Sequence, residues 1–132
     1  MNELHDKSVL VVDDDEGMLL AMNKVLAGEG CRVTAVSDPV AALNELADPQ
    51  KRFDLVITDL RMPTFSGRGV MGFASAALPE LPVIIITAFG TPDVEAQSLR
   101  LGAFAFLEKP VDSAQLIEVV TRALMPPTVG KT

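Results

Sequence analysis

Ser8-Val9-Leu10-Val11-Val12-Asp13-Asp14-Asp15 is the stretch that decides the fold. Four apolar residues stand in a row and end abruptly in three aspartates. A half-buried strand alternates apolar with polar; an unbroken apolar run instead suits a strand covered on both faces, as in a parallel sheet between helices. Four further runs lie downstream: Cys31-Arg32-Val33-Thr34-Ala35-Val36, Asp54-Leu55-Val56-Ile57-Thr58, Pro82-Val83-Ile84-Ile85-Ile86-Thr87 and Ala103-Phe104-Ala105-Phe106-Leu107. The first, third and fourth are apolar on consecutive positions, so they are the strands expected to be covered on both sides.

Helical spacing fills the gaps between the runs. Met18, Leu19, Met22, Val25 and Leu26 form one apolar stripe, and Leu116, Val119, Val120, Ala123 and Leu124 form another. Helix starts are marked by Asp38 before Pro39, Thr91 before Pro92, and Asp112 three residues ahead of Gln115. Gly30 and Gly102 stand where the first and fourth helices should end. The third helix is the weakest by composition. Gly67, Gly69 and Gly72 each cost up to about 1 kcal/mol against alanine in a helix interior, so a short helix prone to fraying is expected there. The pattern is βα repeated five times without sequence repeats, which predicts an α/β, doubly wound five-stranded parallel sheet with helices on both faces.

Composition narrows the function classes. The 132 residues are 48% hydrophobic and 22% charged, with a net charge of −7. That is too apolar for a disordered chain, and its longest apolar runs are too short for a membrane span. The acidic balance argues against direct binding to nucleic-acid phosphates. No signal-peptide pattern precedes the first run, and one cysteine, Cys31, cannot form an internal disulfide; both point to a reducing cytoplasm. Cys31 opens a strand and is read as a small core residue. His5, ahead of the first run, is placed in a mobile end and not at a site of chemistry. Residues 7–125 are read as one domain and 126–132 as a linker or tail, with any output domain outside this chain.

Polar groups collect where the strands end. Asp13, Asp14 and Asp15 follow the first run, Asp59 the third, Thr87 ends the fourth, and Lys109-Pro110 follows the fifth. Ligands of open α/β sheets bind beyond the carboxyl ends of the strands, at the switch in strand order. With strand order 2-1-3-4-5, strands one and three are neighbours, and Asp13, Asp14 and Asp59 share a crevice. Three bare carboxylates repel, and a hard divalent cation with oxygen ligands resolves the repulsion; Mg²⁺ takes one or two carboxylates and leaves room for phosphate. Lys109 supplies a point charge for a phosphoryl oxygen and Thr87 a hydroxyl. Singly, each has an ordinary role: a helix cap, a turn residue, a strand-end threonine, a solvated lysine. Together they describe phosphoryl transfer with a carboxylate as nucleophile.

Val11-Val12-Asp13-Asp14, Asp59-Leu60-Arg61-Met62-Pro63 with Gly67 beyond, Thr87-Ala88 and Lys109-Pro110, in that order, make the chain resemble the receiver domain of two-component response regulators. The resemblance implies the flavodoxin-like, CheY-like three-layer sandwich. It implies that Asp59 accepts phosphate from a sensor histidine kinase or phosphotransfer protein, and that Asp13, Asp14, Asp59 and the backbone carbonyl of Arg61 hold Mg²⁺. Lys109 would bind the phosphoryl group, and Thr87 and Phe106 would be the switch pair; core packing is an equally good role for Phe106. It further implies a signalling switch that catalyses only its own phosphorylation and dephosphorylation, with room for a homodimer through the face of helix four, strand five and helix five. Val111, Met18 and Phe89 depart from common family residues. Phe89 and Arg61, two residues after Thr87 and Asp59, flank the water's approach in the family and should slow dephosphorylation.

Three rival readings use other residues. A haloacid-dehalogenase-like phosphatase needs an acidic cluster after the lysine, where only Asp112 and Glu118 occur, both within the last helix. A flavodoxin-like carrier needs a Ser/Thr-rich phosphate loop after the first strand, and the absence of Trp and Tyr removes the commonest flavin-stacking groups. A receiver used only for docking has no need of intact acidic and lysine positions.

Overall fold

Each apolar run becomes a strand in the computed structural model, which describes residues 4–60, 67–88 and 90–125. The strands β1 (Ser8–Val12), β2 (Arg32–Val36), β3 (Leu55–Thr58), β4 (Val83–Thr87) and β5 (Ala105–Glu108) alternate with helices α1 (Glu16–Gly28), α2 (Pro39–Ala47), α3 (Gly67–Ala77), α4 (Pro92–Arg100) and α5 (Ser113–Leu124). All pairings are parallel, and the sheet order is β2-β1-β3-β4-β5. Every residue of β3 and β4 is buried, whereas the edge strands β2 and β5 are only partly covered.

Strand alternation sends side chains to two cores. Val9, Val11, Leu55, Ile57, Ile84 and Ile86 pack against Met22 and Leu26 of α1 and Leu116, Val119 and Val120 of α5. Leu10, Val12, Val56, Val83 and Ile85 pack on the other face, against α2 and α3. The sheet is therefore the middle of three layers, as expected.

The marked helix ends form as the local chemistry dictates. The side chains of Asp38, Thr91 and Asp112 accept from the backbone N–H three residues on. Gly30 and Gly102 take positive φ, +93° and +111°. At the first, Gly30 N–H donates to Ala27 O and Cys31 N–H to Leu26 O; at the second, Gly102 N–H donates to Leu99 O and Ala103 N–H to Ser98 O. These paired reverse bonds close both helices in the left-handed manner that glycine permits.

Two expectations are corrected. α3 is not short: it has eleven residues against nine in α2 and in α4. Val70 and Ala74, one turn apart, are fully buried in the second core, and that burial outweighs the propensity cost of the glycines. The segment around His5 is not a loose end either. Leu4 is 1% exposed and belongs to the first core, Asp6 N–H donates to Gly30 O at 2.8 Å, and Arg32 N–H donates to Lys7 O at 2.8 Å. A side chain at Gly30 would come within 2.8 Å of His5 Nδ1 and 3.2 Å of His5 Cα. Gly30 thus permits both the helix end and the docking of this segment. Cys31 is buried, as expected of a core residue.

Candidate functional site

Three backbone hydrogen bonds carry the parallel ladders one residue past the strands and fix the polar residues in register. Asp13 N–H donates to Val36 O, Asp59 N–H to Val12 O, and Lys109 N–H to Thr87 O. Asp13 and Asp59 therefore sit at the ends of adjacent strands, beside the switch in strand order. With Asp14 they bring one oxygen each within 4.8 Å of one another. Asp13 and Asp59 are buried and Asp14 is exposed.

Lys109 enters from the far side of the crevice and joins the two buried acids. Its Nζ lies 2.7 Å from Asp59 Oδ2, which accepts a hydrogen bond, and 2.8 Å from Asp13 Oδ2. The Asp13 contact is ionic but poorly directed, so Asp13 Oδ2 is a buried oxygen that receives no aligned hydrogen bond. Asp13 Oδ1 accepts from Asp15 N–H at 2.9 Å. Asp15 in turn caps α1 by accepting from Met18 N–H. The three consecutive aspartates thus divide their work: one buried acid, one exposed acid at the crevice, one helix cap.

The electrostatics follow from this packing. Burial pushes the Asp13 carboxyl above its ordinary range, against the opposing pull of Lys109 and the Asp15 N–H, with the Asp59 charge adding to the rise. Burial also works against the Lys109 charge, but Asp13 and Asp59 together hold its ammonium above its ordinary value. Lys109 stays charged, and Asp13 is the partner at which desolvation wins. Three carboxylates around one ammonium leave two negative charges uncompensated. A hard divalent cation fits that charge, that set of oxygen donors and the buried Asp13 oxygen lacking an aligned donor.

Thr87 ends β4 and is fully buried. By alternation it points to the same helix layer as Ile85, the layer against which half-buried Phe106 packs. Phe106 pairs with Ile85 across β4–β5 and so lies diagonal to Thr87. Met18 and Val111 pack against the first core as partly buried hydrophobics. Arg61 and Phe89, as well as 126–132, lie outside the described residues. Asp112 Oδ1 accepts from Gln115 N–H as the cap of α5. A helix cap among the three aspartates and the pairing of Asp13 and Asp14 at the crevice are as expected; not anticipated from the sequence were the burial of Asp13 beside an exposed Asp14, the bridging position of Lys109 and the buried hydroxyl of Thr58. The one sequence signal for the last is a polar residue within the apolar run Leu55-Val56-Ile57-Thr58.

Comparison with known proteins bears on the family and the fold. The family model for the response regulator receiver domain matches residues 9–121. The response regulator protein FleR of Pseudomonas aeruginosa is 36% identical over 114 residues, covering 86% of this chain and 24% of that protein. The DNA-binding transcriptional regulator NtrC of Escherichia coli is 34% identical over 116 residues, covering 88% of this chain and 24% of that protein. The chain thus spans about a quarter of the length of these curated relatives. A crystal structure of a receiver domain protein from Clostridium thermocellum superposes with a TM-score of 0.83 at 30% identity, covering 89% of this chain and 94% of that one.

Proposed function

This chain belongs to the response regulator receiver family, and on that premise we propose that Asp59 is its phosphoacceptor, Lys109 its phosphoryl-binding cation, and Thr87 with Phe106 its switch pair. The observation that carries the reading is the Lys109 ammonium held between buried Asp13 and Asp59 at the topological switch point. Asp13, Asp14 and Asp59, with the Arg61 carbonyl, would hold Mg²⁺, whose charge offsets that of an incoming phosphoryl group. An Asp59 carboxylate oxygen bonds to phosphorus as the phosphorus–nitrogen bond of a histidine donor breaks, and the departing imidazole takes a proton. Lys109 transfers a hydrogen bond from the carboxylate to a phosphoryl oxygen, a short move for an ammonium already 2.7 Å from Asp59.

Closure of the Thr87 hydroxyl on the phosphoryl group then biases Phe106, and with it the face of α4, β5 and α5, between two pre-existing states. The donor is a sensor histidine kinase or phosphotransfer protein in the cytoplasm. Among the described residues no helix is long and apolar enough to cross a membrane. The receiver of the change is an output domain outside these residues, acting on transcription as NtrC's name states for that relative, or a second copy of the domain. Exposed Leu99, Leu101 and Phe104 at the α4–β5 corner supply apolar surface for either. Mass spectrometry after incubation with Mg²⁺ and a small phosphodonor tests the core of the proposal. One phosphate should be gained by the wild type and none by Asp59→Asn; equal gain by both refutes it.

A further inference from the structure

β3 has one polar side chain, that of Thr58, and it is fully buried. Alternation turns Thr58 toward the α2–α3 layer with Val56, and its register partners are Val12 and Ile85, both core residues of that layer. A valine has the same shape and suits such surroundings, so the hydroxyl calls for an explanation. A buried hydroxyl must find an acceptor, and this one donates to the backbone carbonyl of Asp59 at 3.0 Å. Asp59 is thereby held at three points: its N–H by Val12 O, its carboxylate by Lys109, and its carbonyl by Thr58.

The first and third of these restraints fix the peptide planes on either side of the Asp59 Cα. They also differ from the second in timing, because the lysine must loosen its hold on the carboxylate to engage a phosphoryl oxygen. We infer that Thr58 is a positioning residue for phosphoryl transfer: its hydroxyl keeps the Asp59 backbone, and so the direction of its side chain, in place when Lys109 changes partner. The role rests on the reading of Asp59 as phosphoacceptor. Small displacements of a nucleophile are costly, and losing one neutral hydrogen bond of about 1 kcal/mol converts to a rate lower by about fivefold.

The test compares Thr58→Val with Thr58→Ser in the whole chain, because packing and positioning rank them oppositely. Valine keeps the shape and removes the donor; serine keeps the donor and removes a methyl group. Phosphate uptake from acetyl phosphate with Mg²⁺ is followed by mass spectrometry, with thermal melting to establish that each variant is folded. Thr58→Val should react about fivefold more slowly than wild type and Thr58→Ser at close to the wild-type rate. In the metal-free protein the Asp59 carbonyl ¹³C resonance should move in Thr58→Val and stay in Thr58→Ser. A valine variant as fast as the serine variant, or one whose Asp59 carbonyl resonance is unmoved, overturns the positioning role. Wild-type protein that takes no phosphate on Asp59 refutes the phosphoacceptor reading instead, and the positioning role with it.

Discussion

Replacing Lys109 by methionine keeps the apolar stem and removes the ammonium that lies between Asp13 and Asp59. The two acids are 1% and 6% exposed, and one oxygen of each lies within 4.8 Å of the other. At that separation two unit charges repel by about 3.5 kcal/mol at an effective dielectric of about 20. Breaking a fully buried ion pair costs about 3–5 kcal/mol. The Lys109 side chain is 16% exposed and the crevice opens to water, so a loss of about 3 kcal/mol at pH 7.5 without divalent cation is expected. In urea this lowers the unfolding midpoint by roughly 2 M.

The sign of the pH dependence follows from the folded-state shifts. Asp13 is raised, mainly by burial, so the folded state binds more protons than the unfolded one above the ordinary carboxylate range; this contribution to stability is present at low pH and lost as pH rises through the raised value. The raised Lys109 contributes stability that is present below its unfolded value and lost only as pH rises through the folded one. Removing the lysine raises Asp13 further, so the variant's deficit relative to wild type should shrink from pH 7.5 to pH 5.5. Millimolar Mg²⁺ should shrink it at pH 7.5 too, by restoring positive charge between the acids. A Lys109→Met protein as stable as wild type at pH 7.5 without Mg²⁺, or a deficit that ignores both pH and Mg²⁺, would refute the electrostatic account.

Other perturbations reach different parts of the molecule. Asp14→Ala removes an exposed crevice carboxylate, so a Mg²⁺ titration should lose its response, phosphorylation should fail, and stability should change by less than about 0.5 kcal/mol. Thr87→Ala should still accept phosphate but transmit it poorly, seen as loss of the phosphorylation-linked shift of α4 signals by NMR. Leu4→Ala deletes a buried side chain ahead of β1 and should cost about 2–4 kcal/mol in chemical denaturation, whereas a loose end predicts no change. Arg61→Ala and Phe89→Ala should each shorten the lifetime of phosphorylated Asp59 in excess Mg²⁺; decay equal to wild type removes both from that role.

Wherever a property depends on neighbours in the chain, the sequence discloses it. Capping by Asp38, Thr91 and Asp112 needs only a backbone N–H three residues away. The positive φ of Gly30 and Gly102 is set at the helix end that each follows. Consecutive apolar residues from Val9 to Val12 require cover on two faces, and that requirement already implies a parallel sheet between helices. Even the gathering of Asp13, Asp59, Thr87 and Lys109 is legible, because parallel strands end on one side and these residues close four of the five runs. α3 marks the boundary. Local propensity counted three glycines against it, but Val70 and Ala74 find a core to fill, and burial is a property of the surroundings.

What the tertiary structure alone decided are contacts between residues far apart in sequence. Leu4 gives no local sign that a pocket in the first core will take it; that pocket exists only once α1, β2 and the sheet have met. Nothing in Asp13-Asp14 tells the buried acid from the exposed one, since the two share one side chain and differ in where the chain turns. Lys109 and Asp59 are 50 positions apart, and whether the ammonium reaches one carboxylate or lies between two is fixed by the spacing of strands, which no local pattern encodes. The hydroxyl of Thr58 finds its acceptor one residue away, but only folding buries it and makes that bond obligatory. Sequence determines the kinds of groups and the end of the sheet to which they come. Packing sets their distances and their exclusion from water, and on these depend the strength of an ion pair and the pKa of an acid.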